Sequence, residues 1–86
     1  MAVSNAVEMI VKLLVKNPDD VVIESSSTEP EEGEDLGHLD ISLQVHPDDR
    51  GRVIGRRGKT INALRTLAKA AATKAQQRVS IEVMDN

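Results

Sequence analysis

Residues Ile54 to Ile61 read Ile-Gly-Arg-Arg-Gly-Lys-Thr-Ile, and they hold the chemistry-bearing residues of this 86-residue chain. Two glycines flank two arginines, a lysine follows, and an isoleucine stands at each end. Glycine has no Cβ, so at Gly55 and Gly58 a polyanion backbone can approach the main chain closely. Arg56, Arg57 and Lys59 place positive charge where such an anion would lie, and Arg52 extends the same track. Helical patterns on both sides make the octet a tight turn between two helices. The plain alternative is a glycine-punctuated turn whose arginines are merely solvated. The motif by itself leaves both readings open.

The charge distribution bears on that choice. Up to Asp49 there are twelve acids and two lysines, a balance of −10. From Arg50 to Arg78 there are nine bases and no acid, a balance of +9, and the last eight residues contribute −2. The overall charge of −3 therefore conceals a strongly basic segment. Such asymmetry points to a polyanion partner on one face. A basic helix side facing water is the competing explanation.

Composition excludes several classes. The length suits one domain over 1–86 with a modest core, burying roughly 60–65% of its unfolded surface. With no Cys, disulfides, thiolate metal sites and Cys nucleophiles are ruled out. His38 and His46 stand apart, so no metal or other cofactor is expected. Ser25 to Ser27 have no base partner in a nucleophile signature, and the acids at 29–35 fall in a loop. Gly58-Lys59-Thr60 resembles the end of a phosphate-binding loop, but no strand precedes it. An enzyme is not expected. No segment is long and apolar enough to span a bilayer, and Glu8 interrupts the N-terminal apolar run, so the expectation is a soluble, cytoplasmic chain. The absence of any aromatic residue argues against modules that stack bases on aromatic rings.

The elements that must position the octet follow from periodicity. Val3, Val7, Ile10 and Leu14 share one face of a helix over 3–16, with Ser4 or Asn5 as its cap and Asn17-Pro18 as its stop. Val21 to Ser26 reads as a strand, and 27–37 as an acidic loop. Leu39, Ile41, Leu43 and Val45 alternate with polar residues, the pattern of a half-buried strand. Pro47, Asp48 and Asp49 start a short helix that runs to about Ile54. A longer helix spans 60–75, with Ile61, Leu64, Ala68, Ala71 and Ala75 as its apolar stripe. Val79, Ile81 and Val83 form a last strand.

This α-β-β-α-α-β order, with a Gly-x-x-Gly turn between its second and third helices, resembles a type II KH domain over the whole chain. Among these it is most similar to the small bacterial single-KH proteins of the KhpA group. The resemblance implies an α+β fold with a three-stranded sheet packed against three helices. Its β-α-α-β core would be 39–84, with a helix and strand extension at 3–26. It also implies a groove that clamps single-stranded RNA, in a post-transcriptional or chaperone-like role. The binding residues would then be Arg52, Ile54, Gly55, Arg56, Arg57, Gly58 and Lys59. The amides of Arg56, Arg57 and Gly58 would face phosphates, with Val21 to Ile23 near the opposite wall. Ile54 and Ile61 also read as packing residues of the helix pair. One such groove covers few nucleotides, so the resemblance implies a homodimer or a heteromer with another KH-domain RNA-binding protein.

Glu29, Glu31, Glu32, Glu34 and Asp35 sit in the loop that borders the groove in type II KH domains. They either repel phosphates or form a solvated loop that keeps the protein soluble. Two other functions compete with RNA binding. One is a KH-fold protein–protein module without direct RNA contact. The other is a duplex-DNA helix-turn-helix over 50–69, which the flanking strands disfavour.

Overall fold

A computed structural model describes residues 2–84. Three α-helices, α1 (Val3–Leu14), α2 (Arg50–Ile54) and α3 (Lys59–Lys74), lie on one face of a three-stranded sheet. The strands are β1 (Val22–Thr28), β2 (Gly37–Gln44) and β3 (Gln77–Val83), in the order β1-β2-β3. Short 3-10 turns occupy Pro18–Asp20, Pro47–Asp49 and Arg56–Gly58. The element order is the expected α-β-β-α-α-β.

β2 is the centre of the sheet because its alternation is the cleanest in the chain. Leu39, Ile41 and Leu43 are buried against the helices, while Asp40 and Gln44 face water. β1 pairs with it antiparallel, with Ile23 opposite Leu43 and Ser25 opposite Ile41. β3 pairs parallel on the other side, with Val79, Ile81 and Val83 opposite Leu39, Ile41 and Leu43. A register slip of one residue would turn this apolar row to solvent, so burial itself fixes the pairing. The parallel pair needs a crossover, which α2 and α3 supply.

The helix faces differ from expectation in detail. α1 buries Val3, Val7 and Val11, and Leu14 is left exposed. Its N-terminal cap is Ala2, with no side-chain bond from Ser4 or Asn5, because the helix starts at Val3. α3 buries Ile61, Leu64, Ala68 and Ala72, whereas Ala71 and Ala75 are exposed. Alanine gives no size cue, so the sheet decides which alanine it accepts. Val3, Val7 and Val11 join the same apolar cluster as β2 and α3.

Among the described residues, a charged side chain lies in the interior. Asp49 is fully buried, and it ties the end of α1 to the start of α2. Its carboxylate accepts from the Lys16 amide at 3.1 Å, and from the Asn17 amide and Asn17 Nδ2 at 3.0 Å each. The Arg52 guanidinium lies 3.6 Å away. Burial alone would raise the Asp49 pKa. The hydrogen bonds from Asn17 and Lys16 and the charge of Arg52 outweigh it and hold the carboxyl below its ordinary 3.8. His46 Nδ1 accepts from the Asp48 amide at 3.1 Å and so caps the turn before α2. That is a structural use for an imidazole.

Candidate nucleic-acid interface

Gly55 to Gly58 turns the chain between α2 and α3, and its two glycines answer different demands. Gly55 has φ 76° and ψ 170°, a region closed to residues with a Cβ. A Cβ there would also lie 2.8 Å from the Thr60 amide nitrogen and 2.7 Å from Thr60 Cβ. The close approach at Gly55 is therefore internal, to the first turn of α3. Gly58 is left-handed at φ 76° and ψ 14°, but a Cβ there would meet nothing nearer than 3.7 Å. Its requirement is conformational alone. Arg57, at φ 58° and ψ 26°, takes the same left-handed form without the freedom of glycine. Such a residue is held by its surroundings, and the held strain is a mark of functional turns.

The backbone bonds settle which amides are available. Gly55 N–H donates to Gly51 O at 2.8 Å, and Gly58 N–H donates to Gly55 O at 3.1 Å. The Lys59 amide donates to Arg56 O. The Gly58 amide, expected to face phosphate, is thus consumed in closing the turn. The amides of Arg56 and Arg57 have no acceptor within the protein among the described residues. They lie beside the N-terminus of a sixteen-residue helix, where the dipole favours an anion.

The side chains complete this picture. Arg56, Arg57 and Lys59 are exposed and make no ion pair among the described residues. Arg52, also on the expected track, is half-exposed and leans on Asp49. Ile54 is partly buried against the core, and Ile61 is buried within it. Two free amides and three free cations can together hold the phosphates of a polyanion.

Beyond the turn, the side of α3 facing the outer edge of β3 is polar. Arg65 reaches across it, and its Nε and Nη2 donate to the Ile81 carbonyl at 3.3 and 3.1 Å. Lys69 follows one turn later, and both line a depression with Val79, Ser80 and Ile81. Neither residue was expected at the site. The signal lay in the spacing of Asn62, Arg65, Lys69 and Thr73, a second stripe beside the apolar one. β1, in contrast, lies on the far side of β2 from β3. Val21 to Ile23 therefore do not face this edge, and the strand beside it is β3.

The acidic loop is distant from the turn. The Gly37 amide donates to Gln76 O at 3.2 Å, which fixes the loop at the C-terminal end of α3. The sixteen residues of α3 separate it from Gly58 by about 24 Å. His38 Nε2 lies 3.5 Å from Glu34 Oε2. No group of three or more metal-ligating side chains occurs among the described residues. No described helix is long and apolar enough to cross a membrane.

Comparison with known proteins agrees with this architecture. The chain is 46% identical over 80 residues to RNA-binding protein KhpA of Halalkalibacterium halodurans, covering 92% of this chain and 95% of that one. It is 44% identical over 80 residues to RNA-binding protein KhpA of Caldanaerobacter subterraneus subsp. tengcongensis, covering 91% and 95%. Among solved structures, Era in complex with MgGDPNP and nucleotides 1506–1542 of 16S ribosomal RNA matches with a TM-score of 0.69 at 13% identity. Aquifex aeolicus Era Y63A bound to GDP.AlF4− matches with a TM-score of 0.67 at 11% identity. The match covers 94% of this chain and 28% of the first Era chain, and 98% and 31% for the second, so it speaks to a shared fold. Residues 4–83 match the KhpA/KhpB KH domain, and the chain belongs to that family.

Proposed function

We propose that this chain binds single-stranded RNA, with phosphates held on the Gly55–Gly58 turn. The observation that carries the reading is the pair of Arg56 and Arg57 amides without an acceptor among the described residues, on the same turn as the exposed cations Arg56, Arg57 and Lys59. The names of its relatives, RNA-binding protein KhpA, support the same ligand class. Arg56, Arg57 and Lys59 supply charge, Gly55 and Gly58 give the turn its shape, and Arg52 holds the start of α2. Ile54 acts by packing. No step of this role needs catalysis or a cofactor. A single groove binds few nucleotides, so a homodimer or a heteromer with another KH protein would raise avidity. A role in post-transcriptional regulation or as an RNA chaperone, in the cytoplasm, fits such a module.

A second reading is a protein–protein module. It draws on Met9, Leu13 and Leu67, which are exposed by 49, 81 and 60%. Binding of a single-stranded RNA and of a duplex DNA of equal length, measured by fluorescence anisotropy, separates single-strand recognition from the helix-turn-helix alternative, and a protein–protein module binds neither. The single strand should bind with a log–log salt slope of roughly −2, from about three phosphate contacts. Arg56→Asp with Arg57→Asp should abolish binding while moving stability by about 0.5 kcal/mol or less. Unchanged RNA affinity in the folded double variant would sink the proposal. A flat salt response would favour the protein partner.

A further inference from the structure

The Arg65 contact changes the chemistry of an exposed strand edge. Among the described residues β3 is paired only by β2, so its outer edge is open. A bare edge offers carbonyl acceptors, which suit the exocyclic amino group of a base. Here the Ile81 carbonyl is covered by Nε and Nη2 of Arg65, while Nη1 donates to Asn62 Oδ1 at 3.3 Å. The guanidinium has five N–H groups in a planar fork and no acceptor; three are taken by Ile81 O and Asn62 Oδ1, which leaves one on Nη1 and one on Nη2 as donors at the covered edge.

The depression beside it has a volume of about 340 Å³. That is at the small end of the roughly 300–1,000 Å³ typical of ligand sites. Val79 and Ile81 give it an aliphatic wall, and Arg65 and Lys69 give it charge. Arg65 stands six residues along α3 from Lys59, about 9 Å up the helix axis. A base whose sugar-phosphate lies on the turn can therefore reach it.

We propose that Arg65 is a specificity-determining residue that makes this depression a guanine subsite. The proposal rests on the RNA-binding reading above. Guanine presents two adjacent acceptors, O6 and N7, which match the guanidinium fork. In a single strand that edge is free to be read. Adenine places an amino group beside its N7 and would set hydrogen against hydrogen. Cytosine offers an acceptor pair only on its Watson–Crick edge, N3 and O2, and competes with guanine only by turning that edge toward the fork. Uracil offers one carbonyl to a two-pronged donor.

The test uses uridine decamers carrying one central adenosine, cytidine or guanosine. Affinities are measured for the wild-type chain, Arg65→Lys and Arg65→Gln, with thermal unfolding as the folding control. The guanosine decamer should bind the wild type at least about fivefold more tightly than the adenosine and plain uridine decamers, and a cytidine decamer that binds as tightly as the guanosine one overturns the guanine assignment. Arg65→Lys keeps the charge without the fork, so it should retain binding to the plain uridine decamer and lose the guanosine advantage. Arg65→Gln uncovers the Ile81 carbonyl and should raise the relative affinity for adenosine. Equal affinities of the wild type for all four decamers overturn the subsite, and so does an unaltered preference in Arg65→Lys. Binding that Arg56→Asp with Arg57→Asp abolishes would leave the parent reading standing in either case. A wild type that binds none of the decamers sinks both.

Discussion

The N-terminal end of α3 is fixed by a packed glycine and a buried carboxylate, whereas its C-terminal end carries an acidic loop whose charges lie in water. At the first end, Gly55 fits against Thr60, and Asp49 gathers the end of α1 to the start of α2. At the other, the β1–β2 ladder and a backbone bond from Gly37 to Gln76 hold the base of the loop, and Glu29 to Asp35 are all exposed. Arg56, Arg57 and Lys59 stand at the first end, and the five acids of the loop stand at the other. A ligand held in defined geometry needs the rigid end, since ordering a loop on binding costs conformational entropy. The difference teaches where specificity can reside. The acids act through long-range charge, which needs no defined geometry.

The sharpest way to break the rigid end is Gly55→Ala. Its backbone is closed to alanine, and the added Cβ would meet the Thr60 backbone rather than a flexible tip. A loss of about 3 kcal/mol follows, or a fall in Tm of roughly 12–24 °C for a domain of this size. Gly58→Ala meets only ordinary contact at 3.7 Å. It should cost about 1 kcal/mol, the usual penalty for a side chain in the left-handed region. Thermal unfolding of both variants checks the ranking. Equal losses would mean that the Thr60 contact does not decide the first position.

The next effect belongs to Asp49. Its folded pKa is depressed below the ordinary 3.8, so its contribution to stability is fully present above that value. The contribution is lost as pH falls through the folded pKa. Asp49→Asn turns an amide toward the donors of Lys16 and Asn17, and should lower Tm by several degrees at pH 7. The gap between wild type and variant should then narrow below about pH 3.8. A gap that stays constant from pH 7 to pH 2.5 would show that the charge of Asp49 is not what the donors need.

Much of this was legible in the sequence, and the gaps have physical causes. The alternation from Leu39 to Val45 defined the central strand, because a sheet covered on one face leaves little freedom in register. The Gly-x-x-Gly turn was legible too, but its reason was not. Gly55 reads as room for a ligand, and the structure fills that room with Thr60. Asp49 reads as a helix-start acid, yet its partners lie 32 and 33 residues upstream, beyond any local pattern. The end of α3 was placed one residue late. Gln76 takes the left-handed position with φ 58°, where glycine would have announced the stop. The apolar stripe of α3 was misassigned at its end because Ala71 and Ala72 are chemically identical.

The smallest expected effect sharpens the comparison most, because it measures the length of the bound strand. Glu29, Glu31, Glu32, Glu34 and Asp35 lie about 24 Å from the turn, the length of α3. At that distance one charge pair in water is worth about 0.2 kcal/mol before screening. With a Debye length of about 8 Å at 0.15 M salt, some three screening lengths intervene. Roughly a twentieth of the interaction survives, so five acids acting on about three phosphates should total about 0.1 kcal/mol. Replacing all five by Ser and Gln should leave RNA affinity within about 1.5-fold at physiological salt. At 0.01 M the Debye length grows to about 30 Å, and the same replacement should tighten binding about sevenfold. Anisotropy titrations at both salts check this. A severalfold tightening already at 0.15 M would mean that phosphates run along α3 as far as Arg78, within screening distance of the loop. The strand would then occupy the whole groove between α3 and β3, and the acids would set its outer limit.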